Sequence, residues 1–124
     1  MEKISQKFNE YSSFKEVAIR SAKNSFINSS KLDNEWKKLR FHSKPDFEVA
    51  IDEFSKFENL IISSAQNVIH LPEANDLTID SIYARDSTLV SPKGLIICNM
   101  GRKSRISEAL ACAEVYKSKG HKIA

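Results

Sequence analysis

The sequence predicts an α/β fold, in which short strands alternate with longer helices. Three features indicate it: an alternating apolar strand over residues 14–20, an amphipathic helix from Ser43, and two strands on either side of a Pro-Lys-Gly turn at 92–94. The chain has 124 residues, of which 41% are hydrophobic, so it is long enough for one core and too short for two. We therefore expect one domain.

The first predicted elements are a strand and a short helix. Val17 and Ile19 alternate with polar residues in the strand over 14–20. A loop rich in Asn and Ser follows, and residues 32–39, which include Trp36, then predict a short helix.

A longer helix and a second strand follow. Ser43 with Asp46 three positions later is a capping pattern, and Pro45 suits a first helical turn. The apolar face of this helix is predicted to consist of Phe47, Ala50, Ile51, Phe54, Phe57 and Ile61. Residues 68–71 then predict a strand that ends at Pro72.

The second half of the chain predicts a hairpin, a helix and the start of another strand. Residues 88–91 and 95–98 form the hairpin, and residues 103–119 form the helix, with apolar side chains at helical spacing. Residues 121–124 begin a strand. Because so short a strand leaves an apolar edge unpaired, we expect a chain that stops within its fold.

Composition makes several classes of function less favoured. The 19 basic and 16 acidic residues give a net charge of +3 that is spread along the sequence, whereas nucleic-acid binding favours a clustered stripe. Cys98 and Cys112 have no zinc-site spacing, so neither a metal nor a cofactor is expected, and both are interpreted as small apolar residues. No apolar segment is long enough to span a membrane, and a reducing cytoplasm is the expected location.

The candidate chemistry lies between residues 77 and 108. Asp80 and Asp86 occur in a largely apolar segment, where a carboxylate is costly to bury unless it meets a cation. If the segment is extended, their separation of six residues places both side chains on one face and Arg85 on the other. The segment therefore predicts a site for a positively charged group. The alternatives are a turn at Asp80 and a surface ion pair between Asp86 and Arg85.

The same block carries a family resemblance. The segments are DSIYARDSTLV, then GLIICNMG and RKSRISE. They resemble the N-terminal region of the guanidino-group-modifying enzymes: amidinotransferases, dimethylarginine dimethylaminohydrolases, and arginine deiminases or dihydrolases. The earlier NEYSSFKEVAIRSA, PDFEVAIDEFSKFENLI and NVIHLP also resemble that region, so the resemblance covers nearly the whole chain.

The resemblance implies a fold and a domain organisation. The family has a pentein fold, in which five ββαβ modules surround a central substrate channel. Residues 1–124 would then be the N-terminal part of one guanidino-modifying domain, truncated after about one module and the start of the next. A complementary C-terminal chain is the expected partner.

The resemblance also implies a reaction and three binding residues. In this family a cysteine attacks the guanidinium carbon of arginine or a derivative, and a histidine moves protons; neither residue has a counterpart here, so no catalytic residue is assigned. Asp86 matches the carboxylate that grips the guanidinium, and Asp80 matches an upstream aspartate of the same pocket. Arg105 matches an arginine that receives the substrate carboxylate. Arg85 beside Asp86 is closer to the amidinotransferase branch than to the dimethylaminohydrolases.

Two further functions remain open. The five-bladed architecture also occurs in a ribosome anti-association initiation factor that performs no chemistry, so a non-catalytic binding module is one alternative. A small basic nucleic-acid-binding protein is the other, and only the charge excess favours it. The acceptor, water or an amine, also stays open.

Overall fold

The computed structural model describes residues 12–73 and 75–124, which form a mixture of helices and strands. The α/β prediction is confirmed at this level. The chain divides into two compact units: the N-terminal unit of residues 14–84, and the C-terminal unit built around residues 85–124. The prediction of one domain over 1–124 stays a prediction.

The N-terminal unit is built on a pair of parallel strands. Strand β1 spans Phe14–Ile19 and strand β2 spans Ala65–His70, with Val17 opposite Val68. Three helices lie between them in the sequence: α1 (Ala22–Phe26), α2 (Ser29–Glu35) and α3 (Phe47–Ser64). Parallel pairing requires a long crossover of this kind.

The core of this unit lies among the helices and the segment that follows β2. Its buried members are Ala22, Phe26, Leu32, Leu39 and Ile79, against which Trp36, Phe41, Phe47, Ala50 and Phe54 pack. Helix α3 covers the core without any fully buried residue. Phe57, which was predicted on its apolar face, is 47% exposed because it lies at the margin of that face.

Side-chain caps explain where the helices begin. The side chains of Ser21, Asn28 and Asp46 accept hydrogen bonds from the main-chain N–H groups of Asn24, Lys31 and Val49, at 2.9 to 3.0 Å. The predicted start of the long helix at Ser43 was therefore wrong, because Asp46 is its cap. The short helix begins at Ser29 instead of residue 32, and α1 occupies part of the predicted loop.

The C-terminal unit contains two strands, then a helix, then a single bridge residue near the chain end. Strand β3 (Thr88–Ser91) and strand β4 (Gly94–Ile97) form an antiparallel hairpin, which confirms the predicted turn. Helix α4 spans Ile106–Ser118. After it, Ile123 forms a parallel bridge to Leu95 in β4, where a strand was predicted to begin.

Gly94 allows the chain end to lie against the hairpin. Its φ is +129°, and a Cβ atom there would lie 2.6 Å from the carbonyl oxygen of Lys122. The Leu95 N–H donates to that same oxygen at 2.8 Å. Only glycine combines this conformation with so close a backbone approach.

The segment that carries both candidate aspartates is not extended, and the prediction that it is extended was wrong. It forms two 3₁₀ turns, Ile79–Ile82 and Ala84–Ser87. The Ser81 and Tyr83 N–H groups donate to the carbonyls of Thr78 and Asp80, both at 3.0 Å. Asp and Ser favour such local turns over a strand, so the argument from strand parity does not apply.

Candidate functional site

Asp80 lies in the first 3₁₀ turn, within the N-terminal unit. The residue is buried, at 6% exposure. Two contacts from earlier in the chain fix its turn: the Ile79 N–H donates to Glu35 Oε1 at 3.3 Å, and Arg20 Nη1 donates to the Ser81 carbonyl at 3.3 Å. Asp80 is thus a buried carboxylate on an anchored turn.

Asp86 and Arg105 meet within the C-terminal unit. Asp86 lies in the second 3₁₀ turn, and Arg105 ends the 3₁₀ turn Lys103–Arg105 that leads into α4. Arg105 Nη1 donates to Asp86 Oδ2 at 2.8 Å. The Arg105 side chain is 11% exposed and the Asp86 side chain is 52% exposed. Two of the three predicted site residues are therefore direct partners.

Glu108 completes this cluster, and sequence reasoning gave it no role. Arg105 Nε donates to Glu108 Oε2 at 2.8 Å, and Arg105 Nη2 donates to Glu108 Oε1 at 2.9 Å. Glu108 is 1% exposed and lies in the first turn of α4. The spacing of three residues between Arg105 and Glu108 was the available signal, because such pairs are neighbours on a helix.

The charges of Asp86, Arg105 and Glu108 do not cancel among themselves. These two carboxylates and one guanidinium carry formal charges of −2 and +1, a sum of −1. The bonds to Glu108 raise the pKa of Arg105 above its ordinary value, burial opposes them, and the bond to Asp86 raises it further. Glu108 is buried and binds one edge of the guanidinium through Nε and Nη2, so the accessible negative charge of these three residues lies on Asp86.

The histidines and cysteines form no second cluster in the described part of the chain. His70 Nδ1 lies 3.2 Å from Glu58 Oε1, beside a cleft of about 290 Å³ that Ile51 and Phe54 also line. Cys98 is partly buried, Cys112 is buried, and both are free thiols. Among residues 12–73 and 75–124, no three His, Cys, Asp or Glu side chains are grouped to hold a metal ion.

The side chains gathered around Arg105 are thus the most distinctive polar arrangement of the C-terminal unit. No helix among the described residues is both long and apolar enough to cross a membrane. Comparison with protein-family models, curated proteins and solved structures finds no match to this chain.

Proposed function

We propose that this chain is the substrate-binding part of an enzyme that modifies guanidino groups. The reaction class is that of an amidinotransferase or amidinohydrolase, acting on arginine or a derivative through a cysteine-bound amidino intermediate. The observation that carries the proposal is the contact between Arg105 and Asp86, in which a half-exposed carboxylate accepts a guanidinium hydrogen bond at 2.8 Å. Asp86 is thus placed in an environment that accepts this chemical group.

Electrostatics supports binding of a cation beside this contact. A guanidinium is planar, permanently charged and rich in N–H donors, so a carboxylate is its natural partner. Arg105 alone would repel a second guanidinium. Glu108 offsets the charge of Arg105 through two hydrogen bonds, which leaves the charge of Asp86 available to a ligand from solution.

The roles proposed for the three predicted residues are those that the family resemblance implies. Asp86 binds the substrate guanidinium, and Asp80 stays a proposed substrate-binding residue on its own anchored turn in the N-terminal unit. Arg105 donates through Nε, Nη1 and Nη2 to carboxylates of its own chain, so it orients Asp86 in addition to receiving the substrate carboxylate. The catalytic cysteine and histidine belong to a complementary chain or segment, and the cytoplasm is the proposed location.

The order of elements in the C-terminal unit supports the proposed fold. Strands β3 and β4 and helix α4 follow one another, and the bridge at Ile123 stands at the position of a last strand. This is the order of a ββαβ module, the repeating part of the pentein fold. We infer that this unit corresponds to one such module.

The test is a binding titration that separates charge from shape. L-Arginine and L-citrulline have nearly the same size, but citrulline carries a neutral urea group in place of the guanidinium. Calorimetry with the 124-residue chain is expected to show binding of arginine only. Asp86→Asn should weaken that binding about tenfold or more, through loss of a charge-assisted hydrogen bond.

Asp52→Asn is the matched control, because Asp52 is another exposed carboxylate with a single lysine partner. It should leave arginine binding unchanged. Equal affinity for arginine and citrulline, or an Asp86→Asn variant that binds like the wild type, would contradict the proposal. Because the catalytic cysteine and histidine are assigned elsewhere, the purified chain should release neither citrulline nor ammonia from arginine.

A further inference from the structure

Arg20 is the largest fully buried side chain in the described part of the structure. It directly follows β1 and is 2% exposed. Arginine is almost never buried to this extent unless its charge and its N–H donors are satisfied. Its position directly after β1 does not by itself explain why the side chain is buried.

The guanidinium of Arg20 joins two distant parts of the N-terminal unit. Nε donates to the carbonyl of Pro72 at 3.1 Å, and Nη1 donates to the carbonyl of Ser81 at 3.3 Å. Pro72 follows the end of β2, whereas Ser81 lies in the 3₁₀ turn that carries Asp80. One side chain thus connects the ends of the parallel strands to the Asp80 turn.

Side chains from earlier in the chain anchor the turn. Thr78 Oγ1 and Ser81 Oγ are buried, and neither has a hydrogen-bond partner within the described residues. Glu35, which accepts from the Ile79 N–H, and Arg20 both hold the turn from outside. Of these two, Arg20 contacts Ser81, the residue that follows Asp80. It also brings a positive charge into the interior of the unit, where the Asp80 carboxylate is buried.

We propose that Arg20 is a positioning residue for Asp80: its guanidinium fixes the 3₁₀ turn through the Ser81 carbonyl, and its charge offsets the buried carboxylate. The importance of Asp80 to a ligand rests on the proposed function. The mechanical part, that Arg20 holds this turn, does not. Both parts can be measured separately.

Amide hydrogen exchange of the 124-residue chain tests the mechanical part. In Arg20→Gln, the Ser81 and Tyr83 amides are expected to exchange about tenfold faster or more, relative to the amides of β1 and β2. Arg20→Lys keeps the charge but not the planar fork, so an intermediate effect is expected, and this variant also serves if Arg20→Gln does not fold. Arg40→Gln, which removes an exposed arginine of the same unit, should leave the ratio unchanged.

An arginine titration followed by NMR tests the link to the ligand. In the wild type, the amides of residues 79–82 should respond; in Arg20→Gln or Arg20→Lys, this response should fall. If amide exchange accelerated equally in the turn and in the strands, Arg20 would only stabilise the unit, and the inference would be overturned. Unchanged exchange rates of the turn amides would overturn it as well. If the wild type does not respond to arginine, the proposed function fails, and the exchange ratio still decides whether Arg20 holds the turn.

Discussion

Glu108→Gln is expected to destabilise the C-terminal unit by about 3 kcal/mol. The carboxylate of Glu108 accepts two hydrogen bonds from Arg105, at 2.8 and 2.9 Å, and the residue is 1% exposed. Glutamine keeps one acceptor oxygen and turns an NH₂ donor toward an Arg105 donor. Loss of one charge-assisted hydrogen bond costs about 1.5–3 kcal/mol, and weakening of the second adds to it.

The contact between Arg105 and Asp86 limits the loss of stability. Arg105 keeps its bond to Asp86, so the substitution does not leave its charge wholly unpaired, a situation that costs about 3–5 kcal/mol. The expected value therefore lies at the lower end of that range. Urea unfolding followed by far-UV circular dichroism measures it, with an unchanged dependence on urea concentration as the sign that only stability has changed.

Glu114→Gln is the matched control, on the same helix. The Glu114 side chain is 77% exposed and lies 3.5 Å from Lys117, so its loss should change the free energy of unfolding by less than about 0.5 kcal/mol. If the two variants lost the same stability, or if Glu108→Gln lost under about 1 kcal/mol, the buried cluster would not have the energetic role argued from its geometry.

Two more substitutions test the fold. Gly94→Ala should lower the free energy of unfolding by about 1–3 kcal/mol, because it combines a strained backbone with a Cβ atom 2.6 Å from a carbonyl oxygen. Gly101→Ala, which has open space around it, should not lower it. Thermal unfolding of both variants measures the difference, and equal melting temperatures would contradict the described position of the chain end. Asp46→Ala should cost about 1 kcal/mol through loss of the helix cap. Ser43→Ala should cost nothing in the same denaturant titration, and a larger loss there would restore Ser43 as the cap.

Periodicity explains which elements were predictable. Strand β1, helix α3, the hairpin and helix α4 have apolar residues at the spacing of their own structure, and each is present close to its predicted position. The helix starts were less predictable, because Ser43 and Asp46 are both good caps by residue type. Only the bond that Asp46 makes to Val49 decides between them.

Two residues of the Arg105 cluster were named from the sequence, but their arrangement was not predictable. Asp86 and Arg105 were both identified, and their contact spans 19 positions that include the hairpin. The placement of Asp80 and Asp86 on one strand face was wrong because this segment forms two 3₁₀ turns, the first held by main-chain hydrogen bonds, instead of a strand. The contacts of Arg20 lie 52 and 61 residues away, at main-chain carbonyls that have no signature in a sequence.

The parallel pairing of β1 with β2 has a consequence for how the protein is made. Phe14 pairs with Ala65, so a strand synthesised at the start of the chain finds its partner only after about fifty more residues have been added. At ribosomal rates of roughly 5–20 residues per second, this delay lasts roughly 3–10 s. During that time β1 is a nascent segment with two open edges, and chaperone binding to it is the expected protection against aggregation.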